Sequence, residues 1–236
     1  MTSGAADLWV CDLPTIDYRE ALALQERVRA ARQQDRIADT LLLLEHPPVY
    51  TRGRRSDARE LPRGEAWYRS QGIDIVDTDR GGKLTYHGPG QLVGYPIMRI
   101  DDVIAYLRTM EQAIVAALAD AGISAHARPD DGPDFTGVWT AADRKIASIG
   151  VHVARGVTTH GFAINVDNDL QPFGWVVACG LDDVQMTSVI KETGASGATL
   201  PLPAIRASIA TRFAEAFGLT PVGVPVERVD AAAAAA

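Results

Sequence analysis

The chain has 236 residues, 47% of them hydrophobic and 22% charged, proportions that fit a globular protein and exclude a disordered or fibrous one. Its net charge is −7, from 23 basic and 30 acidic residues, which argues against non-specific binding of nucleic acid. No apolar run approaches the roughly 20 residues that span a bilayer, so no membrane partner is expected.

The start, Met1 to Val10, lacks a basic segment followed by an apolar one, so no export signal is expected. Asp17 with Glu20 has the form of a capping box and predicts a helix from Tyr18 to about Gln34, with Ala21, Leu24, Val28 and Ala31 on its buried stripe. Leu41 to Leu44 reads as a buried strand halted by Pro47 and Pro48. Between Arg52 and Arg63, five arginines face Asp57 and Glu60, a local charge of +3 on an acidic chain. Such a patch suits either an anionic partner or a solvated loop. Ile73 to Val76 is a second short strand. A glycine-rich segment, Arg80 to Gly94, follows.

Asp101 or Asp102 caps a helix running to about Ala121, with Ile104, Leu107, Ile114 and Leu118 inward and Gly122 as its stop. Lys145 to Val153 alternates apolar and polar residues and reads as a strand. Arg155 and Gly156 turn it into a second strand, His160 to Val166. Ile205, Ile209, Phe213 and Phe217 mark a final helix closed by Gly218. Mixed helices with an adjacent antiparallel pair predict an α+β fold. Ala231 to Ala236, beyond Pro221 and Pro225, read as a frayed tail.

Chemistry is concentrated in few places. Five of the twelve residues from Arg80 to Gln91 are Gly or Pro, and Arg80, Lys83 and His87 set donors beside that pliable backbone. The spacing matches neither a nucleotide-phosphate loop nor a dinucleotide fingerprint. It suits a ligand-binding segment or a tight turn between strands. Cys179, followed by Gly180, is either a small buried hydrophobe or a nucleophile. Cys11, behind Leu8, Trp9 and Val10, reads as packing. Lys145 on its strand is either an inward lysine with a role or an edge residue reaching water. His87 and His160 lie in glycine-containing segments and suit a site, whereas His46, His126 and His152 read as structural or exposed. No His/Cys spacing fits zinc, so no metal is expected. With only two cysteines, a reduced cytoplasmic protein is the simplest expectation.

Taken together, RGGKLTYHGPGQLVGYPI (Arg80 to Ile97), KIASIGV (Lys145 to Val151), HGFAINV (His160 to Val166) and Cys179-Gly180 resemble the octanoyltransferase family, also called lipoyl(octanoyl) transferases or lipoate-protein ligase B. The resemblance runs from about residue 10 to about residue 220. Ala178 stands where many members carry proline. The resemblance implies an α+β fold with a mixed, largely antiparallel sheet flanked by helices, as in biotin and lipoate protein ligases. It implies one catalytic domain over residues 1–220 and a tail over 221–236. It also implies transfer of an octanoyl group from octanoyl-acyl carrier protein to a lysine of a lipoyl domain, in 2-oxoacid dehydrogenase complexes or the glycine cleavage H protein, without a cofactor. The family's thioester nucleophile falls on Cys179, and the lysine that lowers its pKa falls on Lys145. The acyl-pocket segments fall on Arg80, Gly81, Gly82, Lys83, Leu84, Thr85, Tyr86 and His87, on Ser148, Ile149 and Gly150, and on Gly161, Phe162 and Ala163.

Under that reading the arginine-rich loop would steer an acidic carrier protein through Arg52, Arg54, Arg55 and Arg59. Three rivals differ in chemistry. An ATP-dependent ligase of the same fold would activate the acid as adenylate, with Arg52-Gly53-Arg54-Arg55 holding it and no cysteine needed. A cysteine thioesterase would use His87 or His160 as base and release free acid. A non-catalytic acyl-binding module would show no turnover.

Overall fold

A computed structural model describes residues 5–176, 184–194 and 201–234. β1 (Asp7–Thr15) leads into α1 (Tyr18–Gln33), and the Asp17 carboxylate accepts from Arg19 N and Glu20 N as the capping pattern predicts. β2 (Asp39–Glu45) and β3 (Val49–Arg52) follow, divided at Pro47 and Pro48. Next come α2 (Glu65–Ser70), β4 (Asp74–Asp77), β5 (Thr85–His87) and β6 (Gln91–Ile97). α3 (Val103–Asp120) is capped by Asp102, and β7 (Ala125–Ala127) and β8 (Gly137–Thr140) follow it. β9 (Lys145–Ala154) turns at Arg155 and Gly156, both at positive φ, into β10 (Val157–Asn165). That two-residue turn matches the twist of an antiparallel hairpin. The chain closes with α4 (Val189–Thr193), α5 (Pro201–Ala216), β11 (Thr220–Gly223) and α6 (Val226–Ala234).

Eight strands form one sheet in the order β11-β1-β2-β6-β10-β9-β8-β7. β1 pairs in parallel with β11 and β2, and every other neighbour is antiparallel. The fold is therefore α+β with a mixed, largely antiparallel sheet. A second sheet, β4-β3-β5, lies apart. The run of four leucines has a simple cause. Leu41 and Leu43 point to the core that holds α3 and α5, whereas Leu42 and Leu44 point to the core that holds α1 and α6. Successive strand residues face opposite ways, so a central strand covered on both faces is apolar throughout.

Two expectations are corrected. Ile104 is 62% exposed; the buried stripe of α3 begins at Tyr106 and continues through Met110, Ala113, Ile114, Ala117 and Leu118. The frayed tail expected from Ala231 is helical as far as Ala234, and residues 221–234 pack on the core. β11 pairs with β1, and α6 buries Val229 and Ala233 against α1. Arg27 pairs with Asp230 at 2.8 Å and Arg36 donates to Ala232 O. The prolines that suggested a break fit this geometry. Pro221 sits on an edge strand, where a missing N–H costs little, and Pro225 flanks the start of α6, its C=O accepting from Arg228 N and Val229 N. Among the described residues no helix is long and apolar enough to cross a membrane.

Candidate active site

A cleft enclosing about 630 Å³, its open mouth included, lies over β6, β10 and β9 and beneath the chain joining β4 to β5. Arg80, Gly82, Lys83, Leu84, Thr85 and His87 line one side; Lys145, Ser148, Ile149, Gly150, Gly161, Phe162 and Ala163 line the other. Segments 58 residues and more apart in sequence thus meet at one cleft.

Gly81 and Tyr86 do not line the cleft. Gly81 instead donates its N–H to Val151 O at 3.0 Å, tying the loop to β9. Tyr86 points away, into contact with Tyr50 and Phe173, because alternate residues of β5 face opposite sides. Cys179 lies outside the described residues.

Lys145 is no edge residue reaching water; it is 1% exposed. Its Nζ stands 5.2 Å from the centre of the Trp139 ring, a cation–π placement. Its stem runs past Gly137 (φ +139), where an added Cβ would come within 2.9 Å of Lys145 Cε and 2.5 Å of Ala147 O. Glycine is required there for both shape and backbone angle. The Gly137 N–H donates to the buried carboxylate of Glu111, itself paired with Arg108.

The cleft floor is low because its residues are small. At Gly161 a Cβ would lie 2.2 Å from Gly94 O, so only glycine permits β10 and β6 to close up there. Leu84, Val93, Ile149, Phe162 and Ala163 make much of the wall apolar. The mouth is ionic: Asp134 lies 2.9 Å from Arg55 and 3.8 Å from Lys83. Other arginines of the basic loop are engaged locally, Arg52 with Asp77 and Glu65, and Arg59 with Asp57.

At the end nearest α1 stands a polar cluster that the sequence reading largely missed. Tyr18 and Tyr95 line the cleft there. His46 donates Nδ1–H to Ile16 O at 2.8 Å and accepts at Nε2 from the Tyr95 hydroxyl at 2.7 Å. Burial lowers the pKa of His46 to about 4 and raises that of Tyr18 to about 12. His160 donates Nε2–H to Asp79 at 2.7 Å and meets the Tyr18 hydroxyl at Nδ1. Its bond holds the Asp79 carboxyl down at about 2, while burial lowers His160 itself. His160 has φ +58 inside a strand, a strained backbone held by its N–H bond to Gln25 Oε1. Among the described residues no group of three His, Cys, Asp or Glu is placed to hold a metal. Cys11 is fully buried, and burial with the charge of Asp12 raises its pKa to about 11, an inert packing thiol.

A family model described as the lipoyl protein ligase A/B catalytic domain matches residues 17–214. Octanoyltransferases from Mycobacterium tuberculosis and Solibacter usitatus are each 46% identical to the chain. The first alignment covers 91% of this chain and 89% of the relative, the second 87% and 90%. The chain belongs to the octanoyltransferase family. Octanoyltransferase from Corynebacterium jeikeium is 41% identical over 82% of the chain and 81% of its own length. Among solved structures, lipoate-protein ligase A bound with ATP superposes with a TM-score of 0.73 at 19% identity, covering 98% of this chain and 93% of that one. A bi-partite lipoate protein ligase from Thermoplasma acidophilum gives 0.70 at 15% identity, covering 98% and 91%. The apo biotin protein ligase from Aquifex aeolicus gives 0.50 at 10% identity, covering 90% and 69%. At these identities the likeness is one of fold, as the resemblance implied. Family membership makes the chain an acyltransferase.

Proposed function

We propose that the protein moves an octanoyl group from octanoyl-acyl carrier protein to a lysine of a lipoyl domain, in the cytoplasm, through a thioester on Cys179. The acceptors are the lipoyl domains of 2-oxoacid dehydrogenase complexes and the glycine cleavage H protein. The observation that carries the reading is Lys145, buried to 1% yet lining an apolar cleft floored by Gly161, Ala163 and Ser148. A lysine amine held this deep, beside a narrow apolar slot that suits an alkyl chain, is placed to act on a group at the end of that chain.

An ordinary thiol, with pKa about 8.5, is only a few per cent thiolate at pH 7. A neighbouring ammonium stabilises the thiolate, and each pKa unit gained is worth about 1.4 kcal/mol. The thiolate attacks the donor thioester, and the departing donor thiolate takes the Lys145 proton. Exchange between thioesters is near balance and needs no ATP. The acceptor lysine, with pKa about 10.4, must lose about 4.6 kcal/mol to be neutral at pH 7. Lys145, now neutral, accepts that proton.

Intact-mass measurement after mixing with octanoyl-acyl carrier protein, without ATP, tests this. One octanoyl increment should form, persist in Cys11→Ala, vanish in Cys179→Ala, and discharge onto added lipoyl domain. Acylation of the lipoyl domain only with ATP and free octanoate would make the protein a ligase instead, and free octanoate as the sole product would make it a thioesterase.

A further inference from the structure

We propose that His87 is a second proton acceptor in the transfer, taking at Nε2 a proton that Lys145 cannot take, and that Gln91 and Asn165 are positioning residues that orient it. The proposal rests on the function proposed above.

The need follows from proton balance. The acceptor nitrogen enters as an ammonium and ends as an amide N–H. It sheds two protons while its bond to the acyl carbon forms and the carbon–sulfur bond to Cys179 breaks. Lys145, neutral after protonating the donor thiol, takes one. Cys179 departs as the thiolate with which it began, beside the restored ammonium. The second proton has no acceptor in that pair. Summed over both steps, thioester and ammonium become thiol, amide and one free proton.

His87 is built to receive it. Its Nδ1 lies 2.7 Å from Gln91 Oε1. The amide of Gln91 cannot be reversed, because its Nε2 donates to Tyr86 O at 3.1 Å and to Asn165 Oδ1 at 2.9 Å. Asn165 is fixed likewise, since its Nδ2 donates to Thr187 O at 3.0 Å. Thr187 N in turn donates to Lys145 O at 2.9 Å. A carbonyl cannot donate, so each amide in this chain has one orientation and Nδ1 of His87 must carry the hydrogen. Nε2 therefore presents a lone pair, and His87 lines the cleft that Lys145 lines. Burial keeps the imidazole neutral, with its pKa well below the ordinary value. A weak base of this kind accepts from the acidic nitrogen of a tetrahedral adduct and then returns the proton to water at the open mouth.

The neighbouring histidines lack this freedom. His46 has Ile16 O on one nitrogen and Tyr95 on the other. His160 has Asp79 on one and Tyr18 on the other. Among the described residues nothing bonds Nε2 of His87.

The two half-reactions separate the roles. Enzyme would be loaded with octanoyl-acyl carrier protein, and its discharge onto lipoyl domain followed by intact mass. His87→Asn keeps a donor toward Gln91 but has no atom at the Nε2 position; His87→Gln places a carbonyl oxygen near it. In His87→Asn, loading should stay within about twofold of the parent, while discharge slows at least about 100-fold with the KM for lipoyl domain unchanged. His87→Gln should recover none of that loss, because an amide oxygen accepts a hydrogen bond but not a proton; recovery there would reduce His87 to a hydrogen-bond acceptor and overturn the proposal. Gln91→Met, which lets the imidazole turn, should slow discharge less, again without a change in KM. Equal discharge in His87→Asn and the parent would overturn the proposal and leave the transferase reading intact. Loading and discharge falling together would make His87 a residue of acyl binding and also overturn it. Absence of any loading in the parent would overturn the transferase reading itself.

Discussion

Replacing Gly161 with alanine should unseat β10 from β6. The added Cβ would lie 2.2 Å from Gly94 O and 2.5 Å from Pro96 Cδ, against about 3.4 Å for an ordinary contact. Relief demands a retreat of more than 1 Å, since 3.4 − 2.2 = 1.2 Å. The first obstacle is backbone and cannot rotate away. Both strands are interior to the large sheet, with β2 and β9 on their far sides, so neither moves alone. Overpacking of this kind costs about 1–3 kcal/mol, and an immovable obstacle places it at the upper end. For a chain of this length each kcal/mol shifts Tm by about 2–4 °C, so a fall of about 6–12 °C is expected. Thermal unfolding followed by circular dichroism measures it. Gly223→Ala, where nothing lies within 4 Å of the new Cβ, is the control and should stay within about 2 °C. Octanoyl transfer at 25 °C should fall in Gly161→Ala, because the displaced backbone carries Phe162 and Ala163 of the cleft. A Gly161→Ala Tm as close to the parent as that of the control would refute the close approach of β10 to β6.

Two further outcomes follow from the same packing. His46 has its pKa lowered from 6.5 to about 4 by burial, so the unfolded chain binds more protons there. Its contribution is complete above about pH 6.5 and is lost as pH falls toward 4, a change of about 3 kcal/mol. His87 and His160 are shifted in the same direction and add to it. Urea unfolding at pH 7 and pH 4.5 should show the loss, and His46→Asn should lessen the slope; an unchanged slope would contradict the buried neutral imidazole. Val229→Ala removes two carbons from a fully buried site on α6 and should cost about 2 kcal/mol. A Tm within 1 °C of the parent would mean that α6 does not hold against α1.

Much of the architecture was legible before any coordinates. The Asp17 and Asp102 caps, the stripe of α1 and the turn at Arg155-Gly156 are decided by residues a few positions apart, and local geometry settles them. The four leucines of β2 announced a buried strand, and the structure covers both of its faces. Failures came where neighbours in space outweighed neighbours in sequence. Ile104 has the right period for a buried residue, yet the packed face of α3 begins only at Tyr106. The prolines before α6 resembled a break in isolation, but β1 and α1 supply partners that make this segment part of the core.

The candidate site divides in the same way. By itself the sequence determined the family, the fold class and which segments border the cleft, because ordered motifs retain their residue types along the chain. The tertiary structure decided that Lys145 is buried against Trp139, that Tyr86 turns away while His87 turns inward, and that Tyr18, Tyr95, Gln91 and Asn165 join the site. Burial, side-chain facing and hydrogen-bond direction are properties of contacts between distant segments, with Gln91 and Asn165 74 positions apart. No local pattern carries them, and the state of an imidazole is fixed only once its partners are in place.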